Sequence, residues 1–282
     1  MVSPTLAPGS APPELSAFLD DVRRWIDAEL DRRLQPPAPA SDPGQLIAAM
    51  HYAATGPGKR LRPAVLVAAA QACGASRDRV LPAAAAIEML HAYTLVHDDL
   101  PAMDDDDLRR GRPTVHIAFG EAIAILAGDG LLTEAFAALA ELGAGAAASA
   151  ARVLARRAGA RELLAGQAID LTTSPAELTE IAAVERLHAA KTGALFAAAA
   201  ELGGIAAGAP PATCADLGRY GMAIGIAFQH ADDRDDGEQV ELAQTAAARM
   251  RTLCDEARAI AAGFAPRGQT LDAIAAWITA RA

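Results

Sequence analysis

Long uncharged runs are missing from this 282-residue chain; the longest, 63–76 and 202–215, are too short. A membrane span needs about 18 consecutive apolar residues, so none is expected. Cysteine is scarce too: Cys73, Cys214 and Cys254 form neither an even-numbered framework nor a metal-like spacing, which fits a reducing compartment. The N-terminal residues lack the basic start and apolar core of a signal peptide, so export is not expected and a cytoplasmic, bacterial-type location is the default. No long arginine stripe interrupts a net charge of −10, which argues against general affinity for nucleic acid. Aromatic residues make up only 4%, yet 52% hydrophobic residues can bury a large core and exclude a disordered tail or a small disulfide scaffold.

The sharpest scarcity is lysine. Of 25 basic residues only Lys59 and Lys191 are lysine, the rest being arginine. That bias marks the two as candidates for tasks suited to a compact ammonium rather than a planar guanidinium, although chance would also leave two.

Residues 1–13 read as a flexible Pro-rich leader and 14–282 as a single all-helical domain. Glu14–Leu34 carries Leu15, Phe18, Leu19, Val22, Trp25 and Ile26 on one stripe, which predicts an amphipathic helix. From residue 45 onward Ala/Leu-rich segments with a period of ~3.6 alternate with Gly/Pro breaks, at 56–58, 74, 101, 111–113, 143–145, 203–211 and 265–268. No sustained strand alternation or fixed repeat is visible, so an all-α fold of about ten helices is expected. Leu195–Ala200 and Ala144–Ala151 are apolar nearly all round, which implies burial.

The acids are concentrated. Six lie within Asp98–Asp107, after an apolar helical run, and Pro101 should break the helix there. On an unbroken helix Asp98 and Asp104 would stand roughly 240° apart, so the break is what lets them converge. A second group places Gln229, Asp232, Asp233 and Asp236 at i, i+3, i+4 and i+7, on one helix face. Such faces repel themselves unless cations intervene, and carboxylate clusters suit Mg²⁺ shared with substrate phosphates. Either cluster alone also fits a solvated acidic cap. Cations accompany them: Lys59 and Arg62 at a helix start, Arg109 and Arg110 after the first cluster, and Lys191 beside Thr192. Acids for a divalent metal and cations for phosphate, in one helical chain, together suggest a diphosphate substrate.

These residues resemble the trans (head-to-tail) isoprenyl diphosphate synthases, most closely the bacterial farnesyl diphosphate synthases. The resemblance runs from about residue 45 to Asp236 and weakens beyond. Its motifs are Gly-Lys-Arg-Leu-Arg-Pro at 58–63, Asp-Asp-Leu-Pro-Ala-Met-Asp followed by Arg-Arg-Gly at 98–111, Phe-Gly-Glu-Ala at 119–122 and Leu-Ala-Gly-Asp at 126–129. Gly-Gln-Ala-Ile-Asp-Leu at 166–171, Lys-Thr-Gly-Ala-Leu at 191–195 and Phe-Gln-x-x-Asp-Asp-x-x-Asp at 228–236 follow in the family's order.

The resemblance implies an isoprenoid-synthase-type bundle of ten or more helices around a deep cavity, and Mg²⁺-dependent condensation of isopentenyl diphosphate with dimethylallyl or geranyl diphosphate. Asp98, Asp99 and Asp104 would form one metal site and Asp232, Asp233 and Asp236 the other, with three Mg²⁺ ions in the substrate complex. Lys59, Arg62, His91 and Arg110 would hold isopentenyl diphosphate; Arg109, Lys191, Thr192 and Gln229 would attend the allylic diphosphate. Asp98, Asp104, Lys191 and Asp232 would carry catalysis, and no side chain is assigned as general base. Tyr93, five residues before Asp98, is the expected floor of the cavity, which implies farnesyl diphosphate as the main product. A homodimer is the expected assembly.

Bland readings remain beside these. His91 also fits a buried hydrogen-bonded histidine, His97 a support for the motif, Gln167 and Asp170 parts of the cavity wall, and Tyr93 an ordinary core residue. Asp105–Asp107 read as solvated and the cysteines as packing. The chain departs from the family after Asp236, where a Lys-rich closing loop is replaced by a short run into an Ala-rich helix; Arg249 or Arg251 would be its only substitutes. Arg234, where an apolar residue is common, is a smaller departure. A non-catalytic prenyl-diphosphate-binding partner of another synthase subunit and a class I terpene cyclase are the competing readings.

Overall fold

The computed structural model describes residues 11–42, 44–174, 177–237 and 240–281, so most of the leader lies outside the described residues. Thirteen α-helices make up nearly all of it: α1 Pro13–Leu34, α2 Leu46–Ala54, α3 Leu61–Ala72, α4 Leu81–Asp98, α5 Val115–Phe119, α6 Glu121–Ala140 and α7 Ala144–Ala158. Then come α8 Leu163–Thr172, α9 Ile181–His188, α10 Ala194–Ala207, α11 Pro211–Asp236, α12 Ala243–Ala262 and α13 Gln269–Thr279. Among the described residues the only strands are an antiparallel pair, Leu108–Arg109 with Arg112–Pro113.

The core follows from the apolar stripes. Leu15, Val22, Ile26 and Leu30 of α1 are buried, as the 3.6 period requires. Helices α3, α4, α10 and α11 form the centre, with α4 packed on α6, α10 on α3 and α11, and α11 on α12. Every residue of Leu195–Ala200 is buried. Ala144–Ala151 is different: Ala144, Gly145 and Ala148 are exposed and only Ala150 is buried. This stretch borders a cleft of about 1110 Å³ between α7, α10 and α11, so its small side chains look onto open space.

The predicted break at 203–211 also shifts, because α10 continues through Gly203 and Gly204 to Ala207. A Cβ on Gly203 would lie 2.3 Å from the Leu66 carbonyl oxygen, so the glycine serves the close approach of α10 to α3 rather than a turn. Two helices are long and apolar enough, by length and composition alone, to cross a membrane: 77–98, interrupted by Glu88, and 121–140, interrupted by Asp129 and Glu134, which is why neither holds a long uncharged run. The first is a core element, 67% of its apolar window being buried; the second is 39% buried and exposes Ile125 and Leu126.

Arg60 organises the entry to α3. Its backbone is left-handed (φ 47°), which turns its side chain inward between Lys59 and Arg62. It donates to Asp27 at 2.7 Å, to buried Glu88 at 2.9 Å and to the carbonyls of Ala54 and Gly56, tying α1, α2 and α4 together. Breaking a buried pair of this kind costs about 3–5 kcal/mol.

Candidate active site

Each acidic group lies within electrostatic reach of the expected cations, Asp98 of Lys191 and Asp232 of Lys59 and Arg62. Helix α4 ends at Asp98, and the turn through Pro101 folds back so that the Asp104 amide donates to the Asp98 carbonyl at 2.8 Å. The convergence that the proline break predicts is thus present. Burial and the nearby Asp104 charge push the Asp98 carboxyl up to about 6, against the pull of Lys191. Asp99 turns elsewhere: it is 3% exposed and accepts from Arg109 at 2.5 Å, and Arg109 also reaches Asp106 at 3.1 Å. Asp105, Asp106 and Asp107 are exposed. Asp105 and Arg110 join Arg60 among the few non-glycine residues with left-handed backbones, and strain of this type gathers at functional sites.

Lys191 and Thr192 sit on a π-helical turn, 189–193, between α9 and α10. Such bulges are frequent at functional sites because they re-aim side chains out of the helical register. The turn is packed tightly: a Cβ on Gly166 would lie 2.6 Å from the Lys191 amide nitrogen, and one on Gly225 2.7 Å from the Gly193 Cα. Lys191 forms an ion pair with Asp170. Thr192 donates to Gln229 Oε1 at 2.8 Å, and Gln229 Nε2 donates to Asp233 Oδ1 at 2.8 Å.

Asp232 and Asp233 diverge. Asp232 lies 3.7 Å from the Lys59 ammonium and accepts from Arg281 at 3.0 Å, while Asp233 is 8% exposed and lies 3.0 Å from His188 Nε2. Hydrogen bonds from His188 and Gln229 outweigh burial and hold the Asp233 carboxyl below its ordinary value. Asp236 is exposed at the end of α11.

Arg281 was invisible to pattern reading. It follows α13, donates to Asp232 and, at 2.7 Å, to Asp235, and its guanidinium lies 5.3 Å from the Phe228 ring centre, the same distance as the Lys59 ammonium. Arg249, expected as a stand-in for the missing loop cations, is instead held by Glu185 at 2.7 and 3.1 Å. Arg251 is exposed on α12 without a contact to either acidic group among those described. Between Asp236 and Ala243 only six residues intervene, of which 238 and 239 lie outside the described residues.

On the opposite wall Arg62 meets His91 Nε2 at 3.1 Å and lies over the Phe196 ring at 5.0 Å. Desolvation lowers the Arg62 guanidinium to about 10 and, with Arg62 and Arg110 alongside, depresses His91 well below its ordinary value; His91 is neutral and accepts from Arg62. Arg110 donates to the Pro57 carbonyl at 2.5 Å.

A cavity of about 430 Å³ is lined by Asp98, Lys191 and Thr192 together with Arg62, Tyr93 and Leu195. Tyr93 packs edge-on against His97, ring centres 5.2 Å apart, and the His97 ring lies 3.1 Å from the Ile125 carbonyl. The Nε of Arg62 and the Nε2 of Gln167, both at this cavity, are buried without a hydrogen-bond partner among the described residues. Unpaired buried donors are expensive and mark places where a ligand's oxygens would bind. The larger 1110 Å³ cleft is lined by none of the candidate residues.

Residues 43–241 match the family described as Polyprenyl synthetase. The chain is 39% identical over 229 residues to farnesyl diphosphate synthase of Geobacillus stearothermophilus, covering 79% of this chain and 76% of the relative. It is 44% identical over 216 residues to geranylgeranyl diphosphate synthase of Rhodobacter capsulatus, covering 75% and 71%. Among solved structures, an FPP/GFPP synthase from Zymomonas mobilis superposes with a TM-score of 0.85 at 36% identity, covering 94% of this chain and 99% of that one. With Asp98, Arg62 and Lys191 lining one cavity of an all-α bundle, these likenesses establish that the chain belongs to the polyprenyl synthetase family and is a short-chain prenyltransferase.

Proposed function

We propose that the chain condenses isopentenyl diphosphate head-to-tail with dimethylallyl or geranyl diphosphate in a Mg²⁺-dependent reaction, with farnesyl diphosphate as the main product. The observation that carries this reading is the 430 Å³ cavity, whose lining combines the charged Asp98, Arg62 and Lys191 with the apolar Leu95, Leu163 and Leu195.

The donor set fits a hard divalent cation. Asp98, Asp104, Asp232 and Asp236 offer carboxylate oxygens, and the raised Asp98 value reports a carboxylate short of positive charge. Asp99 and Asp233 belong to the same two motifs and support their neighbours by holding Arg109 and Gln229. Bound Mg²⁺ supplies charge neutralisation for the departing diphosphate.

The side chains do the rest. Lys191, Thr192, Gln229 and Arg109 orient the allylic diphosphate, with Arg109 exchanging its Asp99 contact for a phosphate oxygen. Lys59, Arg62, His91 and Arg110 bind isopentenyl diphosphate, and neutral His91 leaves its Arg62 partner's charge available to phosphate. The allylic C1–O bond breaks with its electron pair on diphosphate, and the isopentenyl double bond attacks C1. Loss of a proton, taken by the departed diphosphate, completes the product. Leu195, Ile125 and Leu163 exclude water that would otherwise trap the allylic cation.

We further infer a homodimer, supported by the exposed apolar side chains Ile117 and Leu126 on α5 and α6. A monomer in sedimentation at micromolar concentration overturns it. The short α11–α12 connection favours one second reading, a weakly active or non-catalytic subunit. A turnover assay with isopentenyl diphosphate and each allylic primer, with product analysis, separates the readings. Chain elongation supports the synthase, cyclised product without isopentenyl diphosphate consumption a cyclase, and no turnover by the folded protein a binding subunit.

A further inference from the structure

Beside the second acidic motif lies a cluster of which the proposed condensation uses only Asp233, as the acceptor for Gln229. His188 at the end of α9, His230 on α11 and Asp233 each offer a ligand atom, and these atoms lie within 4.8 Å of one another. All three residues are buried, with 6%, 2% and 8% exposure. His188 Nε2 is 3.0 Å from Asp233 Oδ2, and the two imidazole rings meet edge-on with centres 4.7 Å apart. His230 Nε2 makes no hydrogen bond; the nearest acceptor described, Glu185 Oε1, is 3.5 Å away.

A 98%-buried imidazole nitrogen left without a partner is costly unless something occupies the space before it. A separate small cavity of about 20 Å³ is lined by His230 and Asp233, though not by His188, together with Val184 and Met250. That volume is the scale of one water or one ion. A tetrahedral ion with bonds of about 2.0–2.1 Å sets its ligands roughly 3.3 Å apart, so donors spread over as much as 4.8 Å must close by up to about 1.5 Å on binding. The 3.0 Å pair needs little adjustment to reach that spacing. Two imidazoles and one carboxylate suit a borderline divalent ion such as Zn²⁺ or Co²⁺ and disfavour Mg²⁺, which prefers oxygen.

We propose that His188, His230 and Asp233 form a binding site for one Zn²⁺-class ion, distinct from the oxygen-ligand set of Asp98, Asp104, Asp232 and Asp236. On binding, the proton that His188 directs at Asp233 from Nε2 is carried instead on Nδ1, so that Nε2 is free to ligate and the imidazole keeps one N–H. The anionic Glu185, itself held by Arg249, adds favourable charge at the edge of the site. Because Asp233 also accepts from Gln229, and Gln229 from Thr192, an occupied site would fix the hydrogen-bond chain that ends at the π-helical turn.

The test is equilibrium Zn²⁺ binding to the untagged full chain in millimolar Mg²⁺, which saturates the oxygen sites, with Co²⁺ absorption as the spectroscopic readout. The expected result is one Zn²⁺ per chain and visible Co²⁺ bands of tetrahedral intensity. Affinity should fall by about tenfold or more in His230→Gln and in His188→Gln, and stay unchanged in Asp98→Asn. Circular dichroism confirms that each variant is folded, and the Co²⁺ spectrum of the unsubstituted protein stands even if one variant is not. No stoichiometric Zn²⁺, weak octahedral Co²⁺ bands, or loss of binding in Asp98→Asn but not in the histidine variants would each overturn the proposal.

Discussion

Asp98 is the residue where stability and activity should part company. Burial at the end of α4 deprives its carboxyl of water, and the Asp104 and Asp99 charges lie nearby. Together these raise it from 3.8 to about 6. A raised carboxyl binds its proton more tightly folded than unfolded, so stability falls as pH rises from 3.8 through about 6 and stays low above that. A shift of about two units corresponds to about 3 kcal/mol at 1.36 kcal/mol per unit; because the side chain opens on the cavity, solvent screening reduces this to roughly 1–2 kcal/mol. Asp98→Asn keeps the shape and removes the charge. Without divalent metal the variant should therefore be more stable than the unsubstituted protein above pH 6, melting roughly 3–6 °C higher, and the gap should close below the ordinary carboxyl value. Mg²⁺ should stabilise the parent more than the variant, and condensation by the variant should be abolished. Thermal melts across this pH range, with and without Mg²⁺, measure each effect. A variant less stable at neutral pH, or a gap that ignores pH, would refute the view that Asp98 is held at a cost for lack of a cation.

Two other substitutions test the cavity. Arg281→Gln should raise the Michaelis constant for the allylic diphosphate by about tenfold, the worth of one charged hydrogen bond, and an unchanged constant would show that Arg281 does not serve in place of the missing loop cations. Tyr93→Ala should move the product to C20 or beyond in a reverse-phase product profile while costing only about 1–3 kcal/mol, since the ring already borders open space. An unaltered product length in an active variant would place the floor elsewhere.

The helices and both acidic groups were legible because each depends on local periodicity: a 3.6-residue apolar stripe, or a proline after a buried run. Legibility failed where a side chain's role depends on a partner distant in sequence. Asp232 and Asp233 are neighbours on α11, and spacing alone placed both with Gln229 on one metal-facing side. In space one meets Lys59 and Arg281 while the other turns toward His188. Arg249 and Arg281 were equally anonymous as arginines in a sequence rich in them. Only the return of α12 and α13 alongside α11 decides that the first meets Glu185 and the second the acids. The alanines at 144–151 misled for the converse reason, since small apolar side chains tolerate both a core and an open cleft.

The scarcity of lysine becomes an experimental asset once its two positions are seen. Lys59 stands beside Asp232 with two-thirds of its side chain exposed, and Lys191, in the cavity lining, is joined to Asp170. Reductive methylation with a ¹³C-labelled reagent would add reporters at these two side chains, together with any free terminal amine. In an NMR spectrum the Lys59 and Lys191 signals would be two nearly background-free channels, through which isopentenyl and allylic substrates could be followed separately as each one arrives.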